Sequence, residues 1–591
     1  MLRRLWGICV IAAFVLLTAG FAGKDKQNKT KAATPVEATK DGYVGSETCA
    51  TCHTGIAKTF AQTSMGRSLT TITPESLKTM PLSSPEATSY FDPNSNHHFE
   101  VRAVDGKVIE TEYETAQDGS EVFRNSHPMS WVIGTGENGF GLLLQRDDFL
   151  FQGPLSYYTR EAHWNLSPGY QNENYSFNRL ILPGCIYCHS GRSRPVAGQD
   201  GRYQTPVFTQ NSIGCENCHG PGAAHVAAMR TGDFANGLSK IVNPYRLSEP
   251  RADDICMSCH QAGDARVLQP GKTYQDFRPG QPLEHTVAIF QIPPTPEKPP
   301  QDDHVEHYYS MSLSKCFRAT RGLAPDKQLR CISCHDPHVE PTKEEAPAYF
   351  KARCLNCHTT ASCTAPKALR EATTPADNCI GCHMKQRDIR VISHSSATNH
   401  RIVKTPDEPF PDVTFHQTTA AMPDLIELNP EGERGANAVA PPAILRLQAY
   451  AQLERGDSRF HASWLQTLSS LETSLPENAI VQAALGHRDL ADHKLTEAID
   501  HLQHAIRLNA MDTEAYIDLS KAQDESGQNE AAIASAKKAA ELDPYAAPIQ
   551  KTLILRLING KRYDEAQAAM ERYLQTFPED DGMRKMLAMV K

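Results

Sequence analysis

The chain has 591 residues, a formal net charge of -9, 40% hydrophobic residues and 22% charged ones. This balance suits a soluble globular chain long enough for two or three domains, and the acidic surplus argues against nucleic acid as a partner. Seventeen cysteines and 24 histidines stand out, and their spacing carries most of the chemistry.

Residues 1–23 open with two arginines, then an apolar run from Leu5 to Leu17 and small residues near Ala22. That pattern predicts a secretory signal, so an exported, periplasmic protein is expected. An uncleaved anchor facing the periplasm is the first alternative, because Leu5 to Ala22 is just long enough to span a bilayer. Release outside the cell is the second. The Arg3-Arg4 pair lacks the rest of a twin-arginine motif, which favours export of unfolded chain. Cys9 belongs to this segment. Residues 24–41, rich in Lys, Thr and Ala, read as a flexible tether.

Residues 42–404 carry the signature C-x-x-C-H seven times. The copies are Cys49, Cys52 and His53; Cys185, Cys188 and His189; Cys215, Cys218 and His219; Cys256, Cys259 and His260; Cys331, Cys334 and His335; Cys354, Cys357 and His358; Cys379, Cys382 and His383. At this composition chance supplies about 0.02 copies. Two thiols three positions apart reach the two vinyl groups of one haem, and the adjoining imidazole turns onto the iron. Seven covalent haem c groups are therefore expected, with the seven histidines as proximal ligands. Zinc does not demand a His after every second Cys, and a redox C-x-x-C pair would leave all seven histidines idle.

The lead into the first motif, YVGSETCATCH, resembles the nitrifier tetrahaem cytochrome c family, itself part of the hydroxylamine-oxidoreductase-like superfamily. In that family a serine-flanked His follows on the next helix. Here the position is Met65, so the resemblance implies either thioether ligation of the first iron or ordinary packing by Met65.

Between His53 and Cys185 lie 131 residues without a motif. Within about 96–182 the sequence alternates as strands: FEVRAVDGKVIETEYE about an Asp105-Gly106 turn, and GLLLQRDDFLFQGPLSYY about Arg146 to Asp148. A small antiparallel β insertion is expected. Gly134, Gly136 and Gly139 match G-x-G-x-x-G, yet a strand follows them rather than a helix, so they read as a turn. His127 and His163, with His97 and His98 behind them, are candidate distal ligands or solvated loop residues.

From Cys185 onward apolar runs are few, which predicts that porphyrins supply the core. His225 and His338 follow their own motifs too closely to reach round to the same iron, and so are expected to cap neighbouring haems. The CHGPG turn before His225 again resembles the superfamily. His400, His394, His285, His304 and His307 are further distal candidates. His416 completes the spare histidines before residue 450. Cys316 and Cys363 remain over; in an exported protein they are candidates for a disulfide, with free thiols near haem edges as the alternative.

Residues 405–442 read as a Pro-rich linker, and 443–591 as helical. A 34-residue period aligns Leu485, Leu519 and Leu553, and also Ala498, Ala532 and Ala566, giving units 479–512, 513–546 and 547–580 after an earlier helical pair. This resembles tetratricopeptide repeats, which stack into a solenoid that binds partner segments; a passive helical cap is the other reading. The fold class expected is thus mixed: an irregular to α-helical multihaem cytochrome c domain with a β insertion, followed by an all-α repeat solenoid. Exported multihaem cytochromes fused to such repeats are the nearest resemblance, which implies an electron carrier docking a redox protein partner. The alternative is an oxidoreductase acting on a small nitrogen or sulfur compound at one open iron. A scaffold built on haems is the least economical reading.

Overall fold

The computed structural model describes residues 39–82, 84, 88–299, 306–386, 392, 398–405, 407–415, 419–430 and 439–590. The expected leader, nearly all of the tether, and His304, His394 and His416 lie outside them.

Residues 69–180 build two antiparallel sheets that share a core. The larger orders its strands Leu69–Thr71, Trp131–Ile133, Gly139–Arg146, Phe149–Tyr158 and Arg179–Leu180, with His163–Leu166 also on Phe149–Tyr158. The smaller runs Ser89–Asp92, His97–Val104, Lys107–Thr115 and Glu121–Met129 in sequence order. Its central turn has Asp105 and Gly106 at φ 49° and 75°, the left-handed pair that a two-residue hairpin needs. Strand alternation buries the larger sheet on both faces. Leu142, Leu144 and Phe151 meet Phe99, Val101 and Val108 of the smaller sheet. On the opposite face Leu143 and Leu150 pack on Ile186, Tyr203 and Phe208. Ile186 sits inside the second C-x-x-C-H motif, so β packing clamps that motif, each such side chain contributing about 1.5–3 kcal/mol.

The core beyond Cys185 departs from the expectation in one half. Ile255, Met257, Phe277, Leu283, Tyr308, Met311 and Phe317 form an ordinary apolar cluster around the fourth motif. It was hidden because its residues come from short segments: the helices Glu249–His260 and His307–Ser312, and a sheet of Ala265–Leu268, Val287–Gln291 and Ile426–Glu427. That last strand lies within the stretch expected to be linker. Between Phe317 and Val403 the position is different. There no described hydrophobic side chain is buried, and the buried residues are Arg330, Asn399 and Arg401.

The C-terminal part is an array of helical hairpins. The first, Ala443–Glu454 with His461–Glu472, shares a core with Val267, Ala288 and Phe290 of the three-stranded sheet. Three more follow: Ala479–Ala491 with Leu495–Leu508, Thr513–Glu525 with Asn529–Leu542, and Ala547–Asn559 with Tyr563–Thr576; Asp581–Val590 closes the array. All six residues aligned by the 34-residue period are buried. The period also shows in the backbone: His493, Gly527 and Lys561, at φ 57°, 79° and 57°, make the left-handed turn of each hairpin. The loop entering the last hairpin and the end of that hairpin's second helix then touch the β region. Tyr545 packs edge-on against Phe149 and Phe151 and donates to Asp147 (2.7 Å), and Asn178 donates to the carbonyl of Thr576 (3.3 Å).

Candidate haem-binding site

Most C-x-x-C-H copies lie on short helices, while the fourth ends the longer helix Glu249–His260 and the sixth begins at the end of Ala346–Cys354. Glu216, inside the third motif, is buried and accepts from the backbone N–H groups of Val44, Gly45 and Gly222 at 2.8–3.2 Å. The Tyr-Val-Gly lead of the first motif is thereby tied to the third. Cys215 N–H donates to Ser46 Oγ (3.1 Å), and the side chains of Cys49 and Cys215 are neighbours. The second motif meets the fourth in the same way: the side chains of Cys188 and Cys259 are neighbours, and Cys188 Sγ lies 3.9 Å from the carbonyl of Ser258. The fourth meets the fifth through Cys256 and Cys331, with Cys331 N–H donating to Asp253 (3.1 Å). Cys218 faces Cys256, Cys334 faces Cys354, and Cys354 faces Cys379.

Imidazoles outside the motifs stand opposite motif histidines. His225 and His53 have ring centroids 6.4 Å apart and planes 18° from parallel; His338 and His219, 6.0 Å and 15°; His400 and His335, 6.4 Å and 27°. An iron with metal–imidazole bonds of about 2 Å on each side holds two ring centroids roughly 6 Å apart. The residues present therefore fit two-histidine ligation at three motifs. In every one of these pairs the second imidazole comes from another motif's neighbourhood. His307 lies 5.3 Å from His260 and 4.8 Å from His400, at steeper angles.

The second ring nitrogen is engaged on many of these residues. His219 donates from Nδ1 to the carbonyl of Val242 (2.8 Å), His225 to Gly237 (2.9 Å), His383 to Val403 (2.7 Å) and His400 to Thr398 (2.9 Å); His338 Nδ1 meets Asp336 at 3.1 Å. A bond at Nδ1 fixes the tautomer and aims Nε2 outward, the arrangement of metal-bound histidine. Burial holds His219, His260 and His400 below the ordinary imidazole range. His335 is pushed down to about 4 and His307 to about 3, by burial first and then by His400. Neutral imidazole is the ligating form.

The remaining candidates lie on several different elements. Opposite His53 stands His225; Met65 sits in the single turn Met65–Arg67. His127 lies in the β region with Nε2 bonded to Asn125 (2.8 Å) and its ring on Phe177, and burial pushes it down to about 4. His163 is half-buried at a strand start, its Nδ1 against the carbonyl of Glu161. His285 ends the turn Leu283–His285. His97 pairs with buried Glu112 at 2.6 Å. Cys316 and Cys363 are unbridged: Cys316 faces Cys357 and Cys363 faces Cys379. Which motif each spare imidazole faces was not readable from sequence, because the paired residues lie up to 172 positions apart.

Two families match segments of the chain: the doubled CXXCH motif over residues 347–388, and cytochrome c554 and c-prime over residues 162–220. No curated protein matches it. Similar solved structures include MamA (20% identity, 23% of this chain and 82% of that one, TM-score 0.19). A thermophilic TPR protein of Thermus thermophilus has 21% identity over 24% of this chain and 80% of its own, with TM-score 0.21. The Arabidopsis OM64 TPR domain has 19% identity over 19% and 93%, with TM-score 0.18. Motif spacing and the two family matches together make the chain a c-type cytochrome with more than one covalently bound haem.

Proposed function

We propose that the chain is an exported heptahaem electron carrier whose helical repeats hold a redox protein partner. Haem c, once bound, supplies a one-electron iron couple at each motif. The residues that would hold it are the fourteen motif cysteines and the seven motif histidines. His225, His338 and His400 serve as second ligands opposite His53, His219 and His335. His307 is the candidate beside His260. The observation that carries this reading is the set of three near-parallel imidazole pairs at 6.0–6.4 Å.

The contacts between motifs give the carrier an order. The first adjoins the third, the third and second adjoin the fourth, and the fourth leads through the fifth and sixth to the seventh. Such wiring branches at the fourth motif, whose surroundings are the apolar cluster described above. The leader sequence supports export, and the hairpin array supports partner binding. The test is the absorption and paramagnetic-resonance spectra of the oxidised protein. Low-spin iron at the three paired motifs, unchanged by cyanide or nitrite, is expected. High-spin iron at those motifs overturns the ligation.

A further inference from the structure

Two of the ligand bonds described above end on one exposed stretch of chain. His225 donates to the carbonyl of Gly237, and His219 to that of Val242. Between and around those carbonyls the chain forms the helix Phe234–Ser239, capped by Asp233, and the turn Pro244–Arg246. Gly237 faces inward, and a Cβ there would meet Met229 Sδ at 2.6 Å, so this helix lies close against the His225-bearing helix Ala223–Arg230. The outward side is unusual for an acidic protein. Phe234, Leu238 and Tyr245 are 62%, 53% and 53% exposed. Arg230, Lys240 and Arg246 stand exposed around them, with Arg353 and Asp336 near Tyr245, while Asp233 caps the helix. Arg230, Lys240 and Arg246 form no ion pair among the described residues.

We propose that the stretch from Arg230 to Arg246 is the docking surface for an acidic electron-carrier protein; this rests on the haem reading of the motifs. Large apolar side chains inside a cationic rim have the makeup of a transient interface, where the apolar centre holds and the rim steers. The sign follows from the whole chain: at a net charge of -9 its surface repels an acidic partner in general, and a local cationic rim selects where one lands. The position has a use. A carrier seated here rests on the backbone that orients ligands of the first and third motifs, with a single short helix between.

The test titrates an acidic plant-type ferredoxin, as probe, into the full-length haem-loaded protein by calorimetry at low salt. A one-to-one complex that weakens as salt is raised is expected. The pair Lys240→Glu and Arg246→Glu should bind at least about tenfold more weakly. Phe234→Ser with Leu238→Ser should also weaken it, and the low-spin absorption bands should stay unchanged in both variants. Lys521→Glu, on the repeats, should leave the affinity as it was. The proposal is overturned by an absence of binding at low salt, by equal affinity in the charge-reversed pair, or by a loss in Lys521→Glu alone. A dimer of this chain that Phe234→Ser dissolves would assign the patch to a second copy instead. Protein lacking a haem absorption band would refute the haem reading itself, which separates the two failures.

Discussion

Residues 318–402 and the hairpins of 443–590 are built on opposite principles. The first stretch holds three C-x-x-C-H motifs and buries no described hydrophobic side chain. The second holds no motif and packs Leu485, Leu502, Leu519, Ile554 and Leu557 at 5% exposure or less. A chain segment without apolar burial lacks the main term that offsets conformational entropy, about 1–2 kcal/mol per residue for the backbone alone. In the proposed reading the attached haems stand in for it, as metals do in small metal-dependent domains. One molecule thus contains a region packed by its own apolar side chains and a motif-bearing region that buries none among its described residues.

The largest expected effect breaks that contrast open. Expressed without haem attachment, the chain should lose residues 318–402 to limited proteolysis while 443–590 survives as a helical, cooperatively melting fragment. Fragment masses and far-ultraviolet circular dichroism read the outcome. Equal protection of both regions would remove the distinction.

A second variant attacks the self-folded region. Leu502 is fully buried and packs where Gly486 lets two helices approach; a Cβ on Gly486 would meet Leu502 Cγ at 2.5 Å. Leu502→Ala should cost about 2–5 kcal/mol and lower the melting temperature of the repeats with the haem spectrum unchanged. Next in size, His338→Ala should turn the iron at the third motif high-spin and open it to cyanide, leaving the first motif low-spin. Magnetic circular dichroism checks it.

The helical third and the β insertion were legible because their signals are local. Strand alternation around Asp105-Gly106 and the 34-residue period need only neighbours in sequence. The three-stranded sheet escaped notice because its third strand is two residues long and lies more than 130 positions from its partner, inside a stretch whose prolines suggested a linker. The seven motifs were plain, whereas pairings such as His53 with His225 depend on how distant turns meet. The resemblance left Met65 as either a ligand of the first iron or ordinary packing; it lies in the turn Met65–Arg67, and His225 is the imidazole that faces His53.

Where the repeats touch the β region, pH gives a finer probe. Glu579, between Glu112 and Ser176 with Asp580 alongside, is pushed up to about 8 by burial first and by the Glu112 charge second. Its ordinary value is 4.5, so between pH 4.5 and 8 the folded state holds a proton that the unfolded state has released. The stabilisation is complete below 4.5 and is lost as pH rises through 8. Glu579→Gln should flatten that dependence, by on the order of a few kcal/mol, in thermal melts across the range. Smallest of all, Lys561→Gly relieves a left-handed residue at the place where the neighbouring hairpin has Gly527, and should add up to about 1 kcal/mol.

The most direct measurement is the intact mass of the purified protein. The account predicts the polypeptide plus seven haems. A mass equal to the bare polypeptide, with the cysteines free, would contradict it.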